Sequence, residues 1–268
     1  MKMYTFVNAK SSGKSTLIAN LGVNLAKELA YSDTSAKVLI VDLNIDTPDI
    51  AYIFNLIDET KKQYPTFLDE LFRYLTSGEE FNIDWAITPS KNLPNLSFIC
   101  GTRELKDEFA NLGEHHWQSL IDKLKDFDYV LVDTSRYHSA PLFKVLFKAS
   151  EKLIIVQDQD LFGISHTALM LRFLDKDYSE KLELWVSRYE PHSPIKPDTV
   201  QDLIGLEPRY LIPGMPRKAY IQTLYNEKPL EQRFIPNYSD KLALIADEMT
   251  GVAPKGGKAW KLMNLKKG

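Results

Sequence analysis

Apolar residues fall into two kinds of run that alternate along the chain. The first kind is short, continuous and rich in β-branched and aromatic residues. It is seen at Met3–Val7, Lys37–Asp42, Leu96–Cys100, Phe127–Asp133, Lys152–Val156, Leu182–Val186 and Arg209–Ile212. Strands covered on both faces read as unbroken apolar runs of this length. The second kind is longer, with apolar residues three and four apart. It predicts helices over Leu17–Leu29, Thr66–Leu75, Glu114–Lys125, Pro141–Ala149, Gly163–Leu174 and Ser239–Met249, with shorter ones over Ile50–Leu56, Thr199–Ile204 and Ala219–Tyr225. Strand followed by helix, repeated, predicts an α/β fold: a three-layer, doubly wound, mostly parallel sheet of about seven strands.

Polar residues are informative where they interrupt this pattern. Between the first strand and the first helix stands Asn8-Ala9-Lys10-Ser11-Ser12-Gly13-Lys14-Ser15-Thr16. A strand, a loop of small residues, Gly-Lys-Ser and a helix are the parts of a phosphate-binding P-loop. Backbone N–H groups of such a loop, with a helix N-terminus behind them, form a concave anion site. Lys14 then reaches the β- and γ-phosphates and the Ser15 hydroxyl ligates Mg²⁺. The pattern wants Gly where Asn8 stands, and Asn tolerates left-handed backbone better than other side chains. An ordinary Ser-rich turn is the alternative. Two more apolar runs end in carboxylates, Asp42 and Asp133. The C-terminal ends of parallel strands are where ligands bind, and Mg·ATP chemistry needs carboxylates around the metal.

Composition narrows the class. A length of 268 residues with 26% charged residues suits one large globular domain, here residues 1–252. The single cysteine, Cys100, excludes an internal disulfide and any multi-cysteine cluster within one chain; its apolar surroundings predict a buried structural residue. No secretory or spanning segment is visible, which predicts a cytoplasmic protein. A net charge of −3 disfavours DNA as a partner. Residues 253–268 differ from the rest: Pro254 and Gly256-Gly257 break the chain, and a basic stretch carrying Trp260, Leu262, Met263 and Leu265 follows. That composition suits a helix lying on an anionic membrane surface, which would place the protein peripherally at the inner face of the cell membrane. A docked or frayed C-terminal helix is the equal alternative.

The motifs together resemble the ParA/MinD family of P-loop ATPases, including its pilus-associated CpaE/TadZ-like and flagellar FlhG-like branches. Lys10–Thr16 is similar to the family's first motif, Val38–Asn44 to its second and Phe127–Thr134 to its third. Trp185-Val186-Ser187-Arg188-Tyr189 resembles the strand whose end meets adenine, and Pro213-Gly214-Met215-Pro216 the second base-contacting loop. The resemblance implies ATP or ADP as ligand, held by Asn8, Lys10, Ser11, Ser12, Gly13, Lys14, Ser15, Thr16, Ser187, Arg188, Pro213 and Met215. It implies Mg²⁺ at Ser15, Asp42 and Asp133, directly or through water. It also implies a homodimer closed by ATP, an unidentified partner protein, and a switch that positions or scaffolds a cellular assembly.

The sequence departs from that pattern at three places. Position 9, where the family's signature lysine belongs, is Ala9, and Lys10 stands one residue out of register. Asn44 stands where a carboxylate would orient the attacking water. An amide can hold a water but cannot take its proton. With Lys14 and Asp42 as the other catalytic candidates, this predicts ATP binding with slow or absent hydrolysis; Asp46 is the nearby substitute. Ser187 replaces an Asn at the base.

The remaining candidates are weaker. His115-His116 are adjacent and face different sides of a helix, so a helix-start or surface role is expected before a metal. Gln157-Asp158-Gln159-Asp160 lines either the nucleotide cleft or a dimer face, or is a solvated loop. Arg136 is a candidate phosphate or partner contact. Two other functions remain open: a non-catalytic nucleotide-binding interaction module, and a P-loop kinase or ligase.

Overall fold

The continuous apolar runs pair side by side into one eight-stranded sheet in the computed structural model. It describes residues 1–10, 12–32, 35–45, 48–57, 62, 64–102, 112–134, 140–172, 176–219 and 230–251, without the side chains of 176 and 177. The strands are β1 (Lys2–Val7), β2 (Val38–Leu43), β3 (Ile87–Pro89), β4 (Leu96–Ile99), β5 (Tyr129–Thr134), β6 (Lys152–Gln157), β7 (Leu182–Tyr189) and β8 (Pro208–Pro213). Their order is β3-β4-β2-β5-β1-β6-β7-β8. All neighbours are parallel except β3, which runs antiparallel to β4 at one edge. The seven expected strands are all present. β3 is the addition: three residues ending in proline carry no periodic signal, and the strand exists through its pairing with β4.

Alternation along each strand sorts residues to two faces. Val38 and Ile40 of β2, Leu131 of β5 and Ile154 and Val156 of β6 join one cluster. In that cluster they pack with helix α1 (Lys14–Tyr31) and a C-terminal helix over Tyr238–Thr250. Leu39, Val41, Leu43, Val130 and Val132 point the other way. There they meet α3 (Leu68–Ser77), α4 (Glu114–Asp122) and α5 (Ala140–Ala149), while α2 (Ile50–Ile53) lies on the α1 side. Leu153 and Ile155 of β6 and Leu184 and Val186 of β7 pack against α6 (Leu161–Leu171) and α7 (Pro197–Ile204). We number the C-terminal helix α8. The result is helix layer, sheet, helix layer, as expected.

The pair His115-His116 opens α4. His116 Nδ1 accepts from the Gly113 amide at 3.0 Å, which is a helix-start role. Cys100 is fully buried, and burial pushes its thiol up to about 12, so it is inert at neutral pH. No described helix is long and apolar enough to cross a membrane. The helix expected over Ala219–Tyr225 lies, beyond Ala219, outside the described residues, as does the basic tail with Trp260, Leu262, Met263 and Leu265.

Candidate functional site

Three strand ends converge because their strands are neighbours: β1 lies between β5 and β6, and β2 flanks β5. The loop after β1 leads into α1 through Gly13, whose φ of 75° is left-handed and costs a glycine nothing. Among the described residues no side chain caps the N-terminus of α1, and its first turn carries no acidic residue. Its first amides are therefore available to an anion. Asn8 keeps an ordinary φ and works instead through its side chain. Its Nδ2 donates to the Lys10 carbonyl at 2.5 Å and to Ser12 Oγ at 3.2 Å, pinning the loop that a glycine would have left loose. The expectation of a left-handed Asn8 is thus corrected: the amide, not the backbone, shapes this turn.

Asp42 and Asp133 are opposite one another in the β2–β5 register and, by alternation, lie on the α1 face. Lys14 opens α1 on that face. Its ammonium donates to Asp133 Oδ1 and to the Thr134 carbonyl, and both ionic partners are buried. Asp133 Oδ2 has no hydrogen-bond partner. Asp42 accepts from the amides of Asn44 at 3.0 Å and Ile50 at 3.1 Å, so it closes the loop between β2 and α2. Burial, then the neighbouring Asp133 carboxylate, push Asp42 well above the usual carboxylate range, against those two amides and Lys14. Burial and Asp133 also raise Asp49. Asn44 is buried beside them and Ser15 is buried one residue after Lys14.

This arrangement fits a divalent cation beside phosphate. Two buried carboxylates on adjacent strand ends repel each other, one oxygen is unpartnered, and a hard oxygen-seeking cation satisfies both conditions. Ser15, Asp42 and Asp133 are the residues that would hold it.

Gly101 shapes the same corner. A Cβ there would lie 2.4 Å from Pro48 Cβ and 3.1 Å from the Asp42 carboxyl carbon. Gly101→Ala is therefore expected to push the β2–α2 loop outward and cost about 1–3 kcal/mol, read from the urea midpoint. An unchanged midpoint would mean that the loop yields freely.

Beside the phosphate loop lies a cavity of about 430 Å³, a volume suited to a nucleoside. Ser12, Gly13, Thr16, Ser187, Arg188, Pro213 and Met215 line it, together with Leu17, Ile212, Gly214, Arg217 and Tyr238. Ser187 of β7 donates its hydroxyl to the Ser12 carbonyl at 2.8 Å, which ties the cavity wall to the loop. Arg188 has a φ of 50°, left-handed and strained for a side chain of its size. Its guanidinium Nε stands 3.1 Å from where a Cβ on Gly13 would be. Lys10 donates its ammonium to Asp160 Oδ1 at 3.0 Å.

The stretch Gln157–Asp160 is not a free loop. Gln157 is buried and accepts from Thr167 Oγ1 at 2.7 Å, and Asp158 faces Arg188 at 3.6 Å. Burial, with Asp160 next to it, pushes Asp158 up to about 6. Ser11, Asp46 and Arg136 lie outside the described residues. Two residues had no local signal. Tyr238 reaches the cavity from the start of α8, and Arg217 follows the end of β8 by four residues.

Among the described residues no group of three His, Cys, Asp or Glu side chains has the geometry of a metal cluster. The fold is that of ParA/MinD-type ATPases. No protein-family model matches the sequence, and no curated protein matches it by sequence. The likeness is structural. A ParA family ATPase from Chlorobium tepidum TLS superposes with a TM-score of 0.73 at 20% identity, over 91% of this chain and 98% of that one. The MinD of a MinC:MinD cell division complex from Aquifex aeolicus gives 0.72 at 19%, over 94% and 97%. The septum site-determining protein MinD from Pyrococcus horikoshii OT3, complexed with Mg-ADP, gives 0.68 at 19%, over 94% and 97%.

Proposed function

We propose that this chain is a ParA/MinD-type nucleotide switch: it binds ATP and ADP with Mg²⁺, dimerises on ATP and positions or scaffolds a cellular assembly through a partner protein. One observation carries the reading. A glycine-hinged anion loop, a buried lysine and two strand-end carboxylates stand next to a nucleoside-sized cavity, on the fold of proteins such as the MinD that holds Mg-ADP. The MinC:MinD complex supports a protein partner by analogy.

The roles follow from the groups. The loop and first-turn amides of α1 take the phosphates. Lys14 exchanges its contact with Asp133 for phosphate oxygens. Asp133, freed of that ammonium, would hold Mg²⁺ together with Asp42 and Ser15, and the metal would supply positive charge to the phosphates. Arg188, Pro213 and Met215 bound the base. Asn44 lies in the corner where water would be held but cannot accept a proton, so hydrolysis is weak or absent. Isothermal titration with Mg·ADP tests binding. In a phosphate-release assay Asn44→Asp is expected to raise turnover by about 10²- to 10⁴-fold, the scale of one general base. Equal turnover in both proteins would remove Asn44 as the cause.

Asn44 also favours a second reading, a nucleotide-binding interaction module with no catalytic step; no turnover by Asn44→Asp while Mg·ATP still binds would select it. The tail is proposed to hold the protein at an anionic membrane. Removing residues 258–268 is expected to abolish co-sedimentation with phosphatidylserine vesicles, and unchanged pelleting would refute that.

A further inference from the structure

The sheet order places the turn after β6 between two others. β6 pairs with β1 on one side, with Val7 opposite Ile155, and with β7 on the other, with Gln157 opposite Val186. The residues just past β6 therefore lie between Lys10, which follows β1, and Arg188, near the end of β7. Two carboxylates occupy that position. Asp160 takes the Lys10 ammonium at 3.0 Å and Asp158 takes the Arg188 guanidinium at 3.6 Å.

The carboxylates are held and the cations are not. The Gly163 amide donates to Asp160 Oδ1 at 3.0 Å. Gln157 Nε2 donates to the Asp158 carbonyl at 2.7 Å and reaches the Asp158 carboxylate, Oδ1, at 3.4 Å. By contrast, Lys10 and Arg188 have long side chains with about half of their surface in solvent, 45% and 52%. Both cations border the anion loop: Lys10 belongs to it, and Arg188 stands over Gly13. Fixed anions beside movable cations at the mouth of an anion site compete with the ligand for those cations.

We infer that Asp158 and Asp160 are affinity-setting residues of the nucleotide site: a fixed internal anion that draws Arg188 and Lys10 away from the phosphates and must be displaced when they bind. This rests on the nucleotide reading above. The two acids lower affinity without touching the ligand, through the positions of Arg188 and Lys10 and through like-charge repulsion of a di- or triphosphate.

The test is titration calorimetry with Mg·ADP at low and high salt. Asp158→Asn/Asp160→Asn preserves size, and asparagine still caps α6. It is expected to tighten binding about 3- to 10-fold, the scale of releasing two exposed ion pairs. The gain should shrink in 0.5 M NaCl, where the Debye length is down to about 4 Å. Arg188→Ala and Lys10→Ala should weaken binding, and neither should do so additively with the Asn pair. Asp122→Asn is the control for net charge alone, since α4 ends at Asp122 near the opposite end of the sheet, where β5 begins. It should leave affinity unchanged. If the double variant fails to fold, judged by its melting curve, each single Asp→Asn change gives the same comparison. Mg·ADP affinity equal to or weaker than the unmodified chain's, in variants that fold, overturns the inference while the nucleotide reading stands. An unmodified chain that binds no Mg·ADP overturns both.

Discussion

Lys14→Ala is expected to weaken Mg·ADP binding by at least about 100-fold. One ammonium shared between phosphate oxygens makes charge-assisted hydrogen bonds of about 1.5–3 kcal/mol each, and every 1.4 kcal/mol is tenfold. The same change has a second effect. Lys14 is the ionic partner of Asp133, and both are buried. Removing one member leaves an uncompensated buried carboxylate, which typically costs about 3–5 kcal/mol. The variant should therefore lose stability as well as ligand. Lys14→Met/Asp133→Asn separates the two effects: stability should recover while binding stays lost. Calorimetry and urea melts read the two quantities on the same samples. Nucleotide bound equally by Lys14→Ala would end the P-loop reading.

The second large effect lies in the core. Trp185 is buried in β7, in T-shaped ring contacts with Phe6 and Tyr210 at centroid separations of 5.6 and 5.0 Å, and its Nε1 donates to Glu183 at 3.1 Å. Trp185→Ala removes a large side chain and two edge-to-face contacts, for an expected loss of about 3–5 kcal/mol. Trp185→Phe should cost less than half of that. Because Trp185 precedes Ser187 by two residues in the same strand, the alanine variant should also loosen the wall of the base cavity. Where it still folds, its Mg·ADP affinity should fall several-fold. A urea midpoint within error of the original would show that the site refills without strain.

What could be read from the sequence follows from how local each signal is. β2, β5 and β6 are covered on both faces, so their apolar runs are unbroken and legible. β3 was invisible because its three residues depend on β4. Asp42 and Asp133 could be named because each sits at the end of such a run, and Lys14 because it stands in Gly-Lys-Ser between a strand and a helix. Their state could not: nothing local says that Lys14 lies on Asp133, 119 residues away. Lys10 was noticed as a lysine out of register, but its partner Asp160 is 150 residues on. Asn8 was read by backbone tolerance, whereas its amide hydrogen bonds decide its role. Arg188 carried a resemblance but no hint of its left-handed backbone. Tyr238 meets the cavity only because α8 packs against α1 beneath it, a tertiary fact without a sequence period.

The two outermost strands set a limit on how copies of the chain associate. β3 finishes in Pro89, and β8 both starts and finishes in proline, at Pro208 and Pro213. Proline offers no N–H to an incoming chain, and such margins are poor templates for strand addition. A continuous intermolecular ribbon, and the fibrous growth that follows from one, is accordingly disfavoured at either border. Any larger complex must form through helix surfaces and the loops at the carboxyl ends of the strands, where ligand occupancy can govern it.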